Sequence, residues 1–187
     1  MRWAIDFSIP ASPFPISHSS KVVSLGSCFA QTIGSKMQAA KFDVLVNPFG
    51  TLFHPLNLAD LLSQALVQGQ MDPSGVVERE GIFVHYAAHS DVKGGTQAEL
   101  EACYNQQILR LHHALKEASH LVLTLGTAWI YTHREYRRVA NCHKQPAALF
   151  EKKLSAFNGS PATICLNSAT AGLELMLRWF IVRTIII

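Results

Sequence analysis

Charge is scarce in this chain of 187 residues: Asp, Glu, Lys and Arg make up 16%, against about a quarter in an ordinary globular domain. The balance of 16 Lys+Arg against 13 Asp+Glu leaves a formal net charge of +3, too little to imply a nucleic-acid partner. Lys152-Lys153 and Arg137-Arg138, with Arg134 nearby, lack interleaved aromatics and read as a solvated face. The four cysteines, Cys28, Cys103, Cys142 and Cys165, include no C-x-x-C pair, which excludes a zinc ribbon and a dense disulfide framework. Reduced thiols in a cytoplasmic protein are expected. No acidic residues stand at metal-ligand spacing, so neither a metal nor a cofactor is expected. The opening Met1-Arg2-Trp3-Ala4-Ile5-Asp6 puts an acid where a signal peptide needs an apolar stretch. The most apolar stretch, residues 173–187, is broken by Glu174, Arg178 and Arg183 and falls short of the roughly 20 residues of a membrane span.

What is present is a core. Apolar residues make up 49% of the chain, enough for one α/β domain. Residues 1–20, with prolines at 10, 13 and 15, read as an extended arm. The apolar run Val22-Val23-Ser24-Leu25 ends at Gly26, and Phe29, Ile33 and Met37 follow at helical spacing, which predicts a strand, a tight turn and a helix over 28–40. A second strand over 43–46 leads through Asn47-Pro48-Phe49-Gly50 to a helix over 57–67 with Asn57 as its N-cap. Short β-type runs at 75–77 and 82–86 predict an inserted hairpin. Thr96 with Glu99 three residues on opens a helix to about 119, and Leu121-Val122-Leu123-Thr124-Leu125 reads as a buried parallel strand. A second hairpin is expected at 129–131 and 136–140, and a short helix over 146–154. His112, His113 and His120 fall on or beside the long helix and are expected to face solvent. Strands linked by crossover helices predict a three-layer α/β/α sandwich on a mainly parallel sheet, with the loops after the strands gathered at one edge.

Those loops hold Gly26-Ser27-Cys28, Asn47 to Gly50, and Gly126-Thr127. A nucleophile at the first helix position after a strand gains from the helix dipole and from unpaired backbone N–H groups that can hold an oxyanion. The same placement favours a reactive thiolate. A lone cysteine is otherwise most often a small buried hydrophobe, so it is the position of Cys28, and not its type, that carries the expectation.

Leu25-Gly26-Ser27-Cys28-Phe29-Ala30 resembles the motif that names the GSCFA-domain family. Three further segments look like the same family: Asn47-Pro48-Phe49-Gly50-Thr51-Leu52-Phe53-His54-Pro55, Thr124-Leu125-Gly126-Thr127-Ala128-Trp129-Ile130-Tyr131, and Asn141-Cys142-His143-Lys144. The resemblance covers roughly 20–155 in order. It implies kinship with the SGNH/GDSL-like hydrolases, hence a flavodoxin-like fold and a small-molecule or carbohydrate ester as substrate. Laid on their first block, Gly26 matches Gly and Cys28 the nucleophilic Ser; a shift of one residue makes Ser27 the nucleophile instead. Gly50 is similar to the glycine that donates an oxyanion N–H, with Asn47 in the same loop, and Gly126 to the glycine of the third block. Ala128 stands where that block has asparagine, and Asn141 is the substitute if its hairpin folds back.

The Asp-x-x-His block of these hydrolases has no counterpart in the sequence, so the base is sought in the matched segments, at His54 or His143. For either, a hydrogen-bonded structural histidine is the competing reading. The resemblance fades after Phe157, and residues 158–187 read as an atypical apolar tail. Two expectations follow: ester hydrolysis or acyl transfer through a covalent acyl group on Cys28 or Ser27, or a truncated or degenerate, non-catalytic relative whose last strands and base are missing.

Overall fold

A computed structural model of the chain describes residues 14–154, apart from 128 and 142, together with the backbone of the strand 184–186. Most of the arm, and the tail outside that strand, lie beyond the described residues. β1 (Lys21–Gly26) is buried from its second residue onward, as a central strand covered on both faces must be. It pairs in parallel with β2 (Asp43–Val46) on one side and β6 (His120–Thr124) on the other. The backbone of β9 (Thr184–Ile186) extends the same sheet by pairing in parallel with β6, giving the order β2-β1-β6-β9.

Register divides the sheet into two faces, because paired residues of parallel strands point the same way. Val23, Leu25, Leu121 and Leu123 join a single core with Leu58, Leu61 and Leu62 of α2 (Pro55–Leu66) and with Leu100, Tyr104, Ile108 and Leu111 of α3 (Gln97–Glu117). The alternate residues, Val22, Val44 and Val46 among them, face α1 (Cys28–Ala39). There Gly34 is needed for contact: a Cβ built on it would sit 2.5 Å from Val46 Cγ2. Helices therefore cover both faces.

The remaining strands are antiparallel: β3 (Val76–Arg79), β4 (Ile82–His85) and β5 (Lys93–Gly94) form one small sheet, and β7 (Trp129–His133) with β8 (Phe150–Leu154) another. The parallel arrangement thus holds for the four-stranded sheet and not for the described strands as a whole, because two excursions interrupt the βα alternation.

Four local expectations are corrected. α2 starts two residues earlier than expected, with His54 as N-cap: its Nδ1 accepts from Leu56 N–H, and Pro55 fills the first helical position, which needs no donor. Residues 146–154 are not a helix; only Ala147–Leu149 turn helically, and β8 follows. β7 makes a single bridge to Val139 but pairs along its length with β8. His112 and His120 are buried, and of the three histidines only His113 is exposed. The capping box at α3 forms with a change: Thr96 Oγ1 accepts from Glu99 N–H, while the Glu99 carboxylate accepts from Gly95 N–H. Among the described residues no helix is long and apolar enough to cross a membrane.

Candidate functional site

The loops after β1, β2 and β6 meet at the C-terminal edge of the parallel sheet, tied by a set of hydrogen bonds. Gly26 N–H donates to Asn47 Oδ1 at 2.8 Å. Asn47 N–H donates back to Ser24 O at 3.0 Å, Ser27 N–H to Thr124 O at 3.1 Å, Leu52 N–H to Gly26 O at 2.8 Å and Gly126 N–H to Phe53 O at 2.9 Å. The glycines are steric requirements of this meeting. Gly26 has φ +133°, and a Cβ there would lie 2.0 Å from Thr124 O; one on Gly126 would lie 2.6 Å from Phe53 Cδ1.

Ser27 and Cys28 are neighbours with opposite surroundings. Ser27 is buried and pinned: its N–H also reaches Thr124 Oγ1 at 3.0 Å, its Oγ shares a hydrogen bond with Thr124 Oγ1 at 2.9 Å, and the same Oγ caps α1 by accepting from Phe29 N–H. Cys28, the first residue of α1, is a free thiol exposed to solvent. Its own N–H, an orphan donor of the helix start, has no acceptor among the described residues.

The N–H groups of Gly50 and Asn47 are committed. Gly50, at φ +72°, donates to Asn47 O at 2.8 Å and closes the turn 47–50, so an oxyanion role for it requires that turn to open. Asn47 itself sits at φ +38°, buried, with Nδ2 donating to Gln31 Oε1 at 3.2 Å. Asn141 is turned to another segment, donating from its backbone to Tyr86 O and from Nδ2 to Ala88 O at 2.9 Å. Ala128 and Cys142 lie outside the described residues.

Neither sequence-predicted histidine hydrogen-bonds to Cys28. In His54, Nδ1 accepts a backbone N–H, which leaves the proton on Nε2, and Nε2 is buried with no partner; burial also holds its pKa below the ordinary 6.5. In that tautomer the ring has no free lone pair. His143 is committed through both nitrogens, Nε2 to His85 O at 2.9 Å and Nδ1 to Ser90 Oγ at 3.0 Å, and burial lowers its pKa as well.

The sequence reading missed His89. Its Nδ1 lies 2.9 Å from Asp91 Oδ2, out of hydrogen-bond alignment, and its N–H donates to Phe49 O. The ring stands against the turn 47–50: a Cβ on Gly50 would meet His89 Cβ at 2.4 Å. The readable signal was His89-Ser90-Asp91, a histidine and a carboxylate two apart in a loop, in the reverse order of the block that was sought. Among the described residues no three His, Cys, Asp or Glu side chains gather as a metal site.

The family model of the GSCFA family matches residues 21–165 of the chain. The chain belongs to the GSCFA family. The match opens at the first residue of β1 and takes in every loop of the C-terminal edge. No curated protein and no solved structure matches the chain.

Proposed function

We propose that this GSCFA protein is an SGNH-like hydrolase or acyltransferase, with the flavodoxin-like sandwich of that class, acting on a small-molecule or carbohydrate ester through Cys28. The observation that carries the reading is the contrast at the end of β1: Ser27 is buried and hydrogen-bonded through both polar atoms, whereas Cys28 offers a free thiol and an unpartnered N–H at the start of a twelve-residue helix. In the proposed step the Cys28 thiolate attacks the ester carbonyl and forms a C–S bond. The tetrahedral oxyanion is held by Cys28 N–H and the positive end of α1. The alkoxide leaves with a proton, and water or a second alcohol then attacks the thioester, releasing acid or a new ester and restoring the thiol. His89, paired with Asp91 beside the Gly50 turn, is the histidine this reading favours as proton carrier.

One observation favours a second reading, a non-catalytic relative: His54 and His143 are held in hydrogen bonds that leave neither a lone pair for Cys28. The test is a short-chain nitrophenyl ester together with a thiol-directed acylating probe, read by peptide mapping. Labelling at Cys28 with a product burst that Cys28→Ala abolishes, and that His89→Gln slows with an altered pH profile, is expected. An unlabelled Cys28, or turnover unchanged in Cys28→Ala, overturns the enzymatic reading.

A further inference from the structure

Asn141 and His143 are fastened to the loop that follows β4 and not to the loop of Cys28. Asn141 N–H donates to Tyr86 O at 2.8 Å and its Nδ2 to Ala88 O at 2.9 Å, while Arg79 Nη1 donates to His143 O at 3.1 Å. His143 and Lys144 both hold positive φ, +45° and +59°, a setting that residues with a Cβ keep only where their surroundings enforce it. What this docking places is the His143 ring against Ser90.

Chemistry fixes the protons of the pair. His85 O can only accept, so His143 Nε2, 2.9 Å away, carries the ring proton and Nδ1 keeps its lone pair. Ser90 Oγ, 3.0 Å from Nδ1, is then the donor. Burial holds the ring's pKa below the ordinary 6.5, against a smaller opposing effect of the His85 carbonyl, so the ring is neutral at pH 7. The nearby Asp91 carboxylate lies against the other ring, 2.9 Å from His89 Nδ1, so a carbonyl and not a carboxylate orients His143. Val92 N–H donates to His89 O at 3.0 Å and closes a turn with Ser90 and Asp91 at its centre. Ser90 is exposed there, and the N–H groups of Ser90 and Asp91 meet no acceptor among the described residues.

A hydroxyl whose proton is aimed at a neutral, oriented imidazole, beside two uncommitted N–H groups, has a base at hand and donors for an oxyanion. We infer that Ser90 and His143 form a second nucleophile–base pair, at which Ser90 takes an acyl group from an activated ester arriving from solvent. Ser90 Oγ forms a bond to the ester carbonyl carbon as its proton passes to His143 Nδ1. The carbon–oxygen bond to the alcohol then breaks, and the imidazolium returns the proton to the departing alkoxide, leaving an acyl-serine. With no carboxylate behind the ring to stabilise the imidazolium, the reaction is slow, a single acylation and not a product burst. It uses no residue of the Cys28 step and stands or falls independently of that reading.

The test is exposure of the full chain carrying Cys28→Ala, so that the thiol does not compete, to nitrophenyl acetate, with acetyl groups located by peptide mapping at early times. Ser35 and Ser74, both exposed and neither bonded to a histidine, are controls within the same molecule. Ser90 is expected to acetylate about a hundredfold faster than either, and His143→Gln to bring it down to their rate, the scale of general-base help. Circular dichroism checks that the His143 variant is folded; if it is not, the comparison of Ser90 with Ser35 and Ser74 decides alone. Acetylation of Ser90 no faster than the control serines, or undiminished in a folded His143→Gln, overturns the inference and leaves the pair a tie that merely holds the turn.

Discussion

Replacing Asn47 by alanine tests how the turn carrying Cys28 is held. Three consequences follow from the geometry. The buried Gly26 N–H loses its 2.8 Å acceptor, at about 1–3 kcal/mol for an orphaned donor. The backbone must still adopt φ +38°, which costs an alanine roughly 1 kcal/mol. The contact to Gln31 Oε1 goes too, but Gln31 is exposed and that bond contributes about 0.5 kcal/mol or less. The sum is a loss of about 2–4 kcal/mol, a large share of the ~5–15 kcal/mol that holds a domain together. Asn47→Asp keeps the acceptor and the tolerance of positive φ, and should lose under about 1 kcal/mol. Urea unfolding followed by circular dichroism gives both values, and native-state alkylation of Cys28, read by mass spectrometry, shows whether this turn has loosened. Asn47→Ala within about 0.5 kcal/mol of the parent, or an Asp variant as unstable as the Ala variant, would refute the claim that this side-chain oxygen holds the turn.

Two further outcomes are expected. His54, His85 and His143 are all held below the ordinary histidine value of 6.5 by burial; the unfolded chain therefore binds protons that the folded chain refuses, and stability present above about pH 6.5 is lost as the pH falls below it. Urea midpoints on either side of that value should show the drop, and His54→Asn, which keeps an N-cap acceptor without titrating, should make it smaller; an equal drop in the variant removes His54 from the account. Gly34→Ala raises helix propensity by about 1 kcal/mol but drives a methyl to 2.5 Å from Val46 Cγ2, so it should destabilise, and adding Val46→Ala should recover more than additivity allows; a stabilised single variant would show that α1 rides further from the sheet.

The strand, turn and helix units around Cys28 and Asn47 were legible in the sequence, since apolar runs ended by glycine or asparagine mark them and a parallel sheet brings its loops to one edge. The hydrogen bonds that decide the site were not. Thr124 lies 97 residues from Ser27, and no local pattern says that its hydroxyl and carbonyl take up the serine's polar atoms and leave the cysteine outside. The 146–154 stretch misled because a nine-residue apolar spacing fits helix or strand; what decides for strand is pairing with β7, where Lys152 Nζ also lies 4.3 Å above the Trp129 ring. By residue type Asn57 is the better N-cap, yet His54 takes the cap because Pro55 fills the first helical position. The helical spacing puts His112 toward solvent, whereas its Nδ1 bonds Ala65 O inside the α2–α3 contact.

The bond between Ser27 and Thr124 also makes the environment of Cys28 a late event in folding. α1 can be synthesised and wound as soon as its own twelve residues exist, but the serine that caps it is locked only when β6 docks beside β1, after a loop of nearly a hundred residues has closed. Until then Ser27, whose cap to Phe29 N–H is local, lacks its bonds to Thr124. The alkylation rate of the Cys28 thiol during refolding is therefore expected to reach its native value with completion of the central sheet and not with formation of the helix it begins.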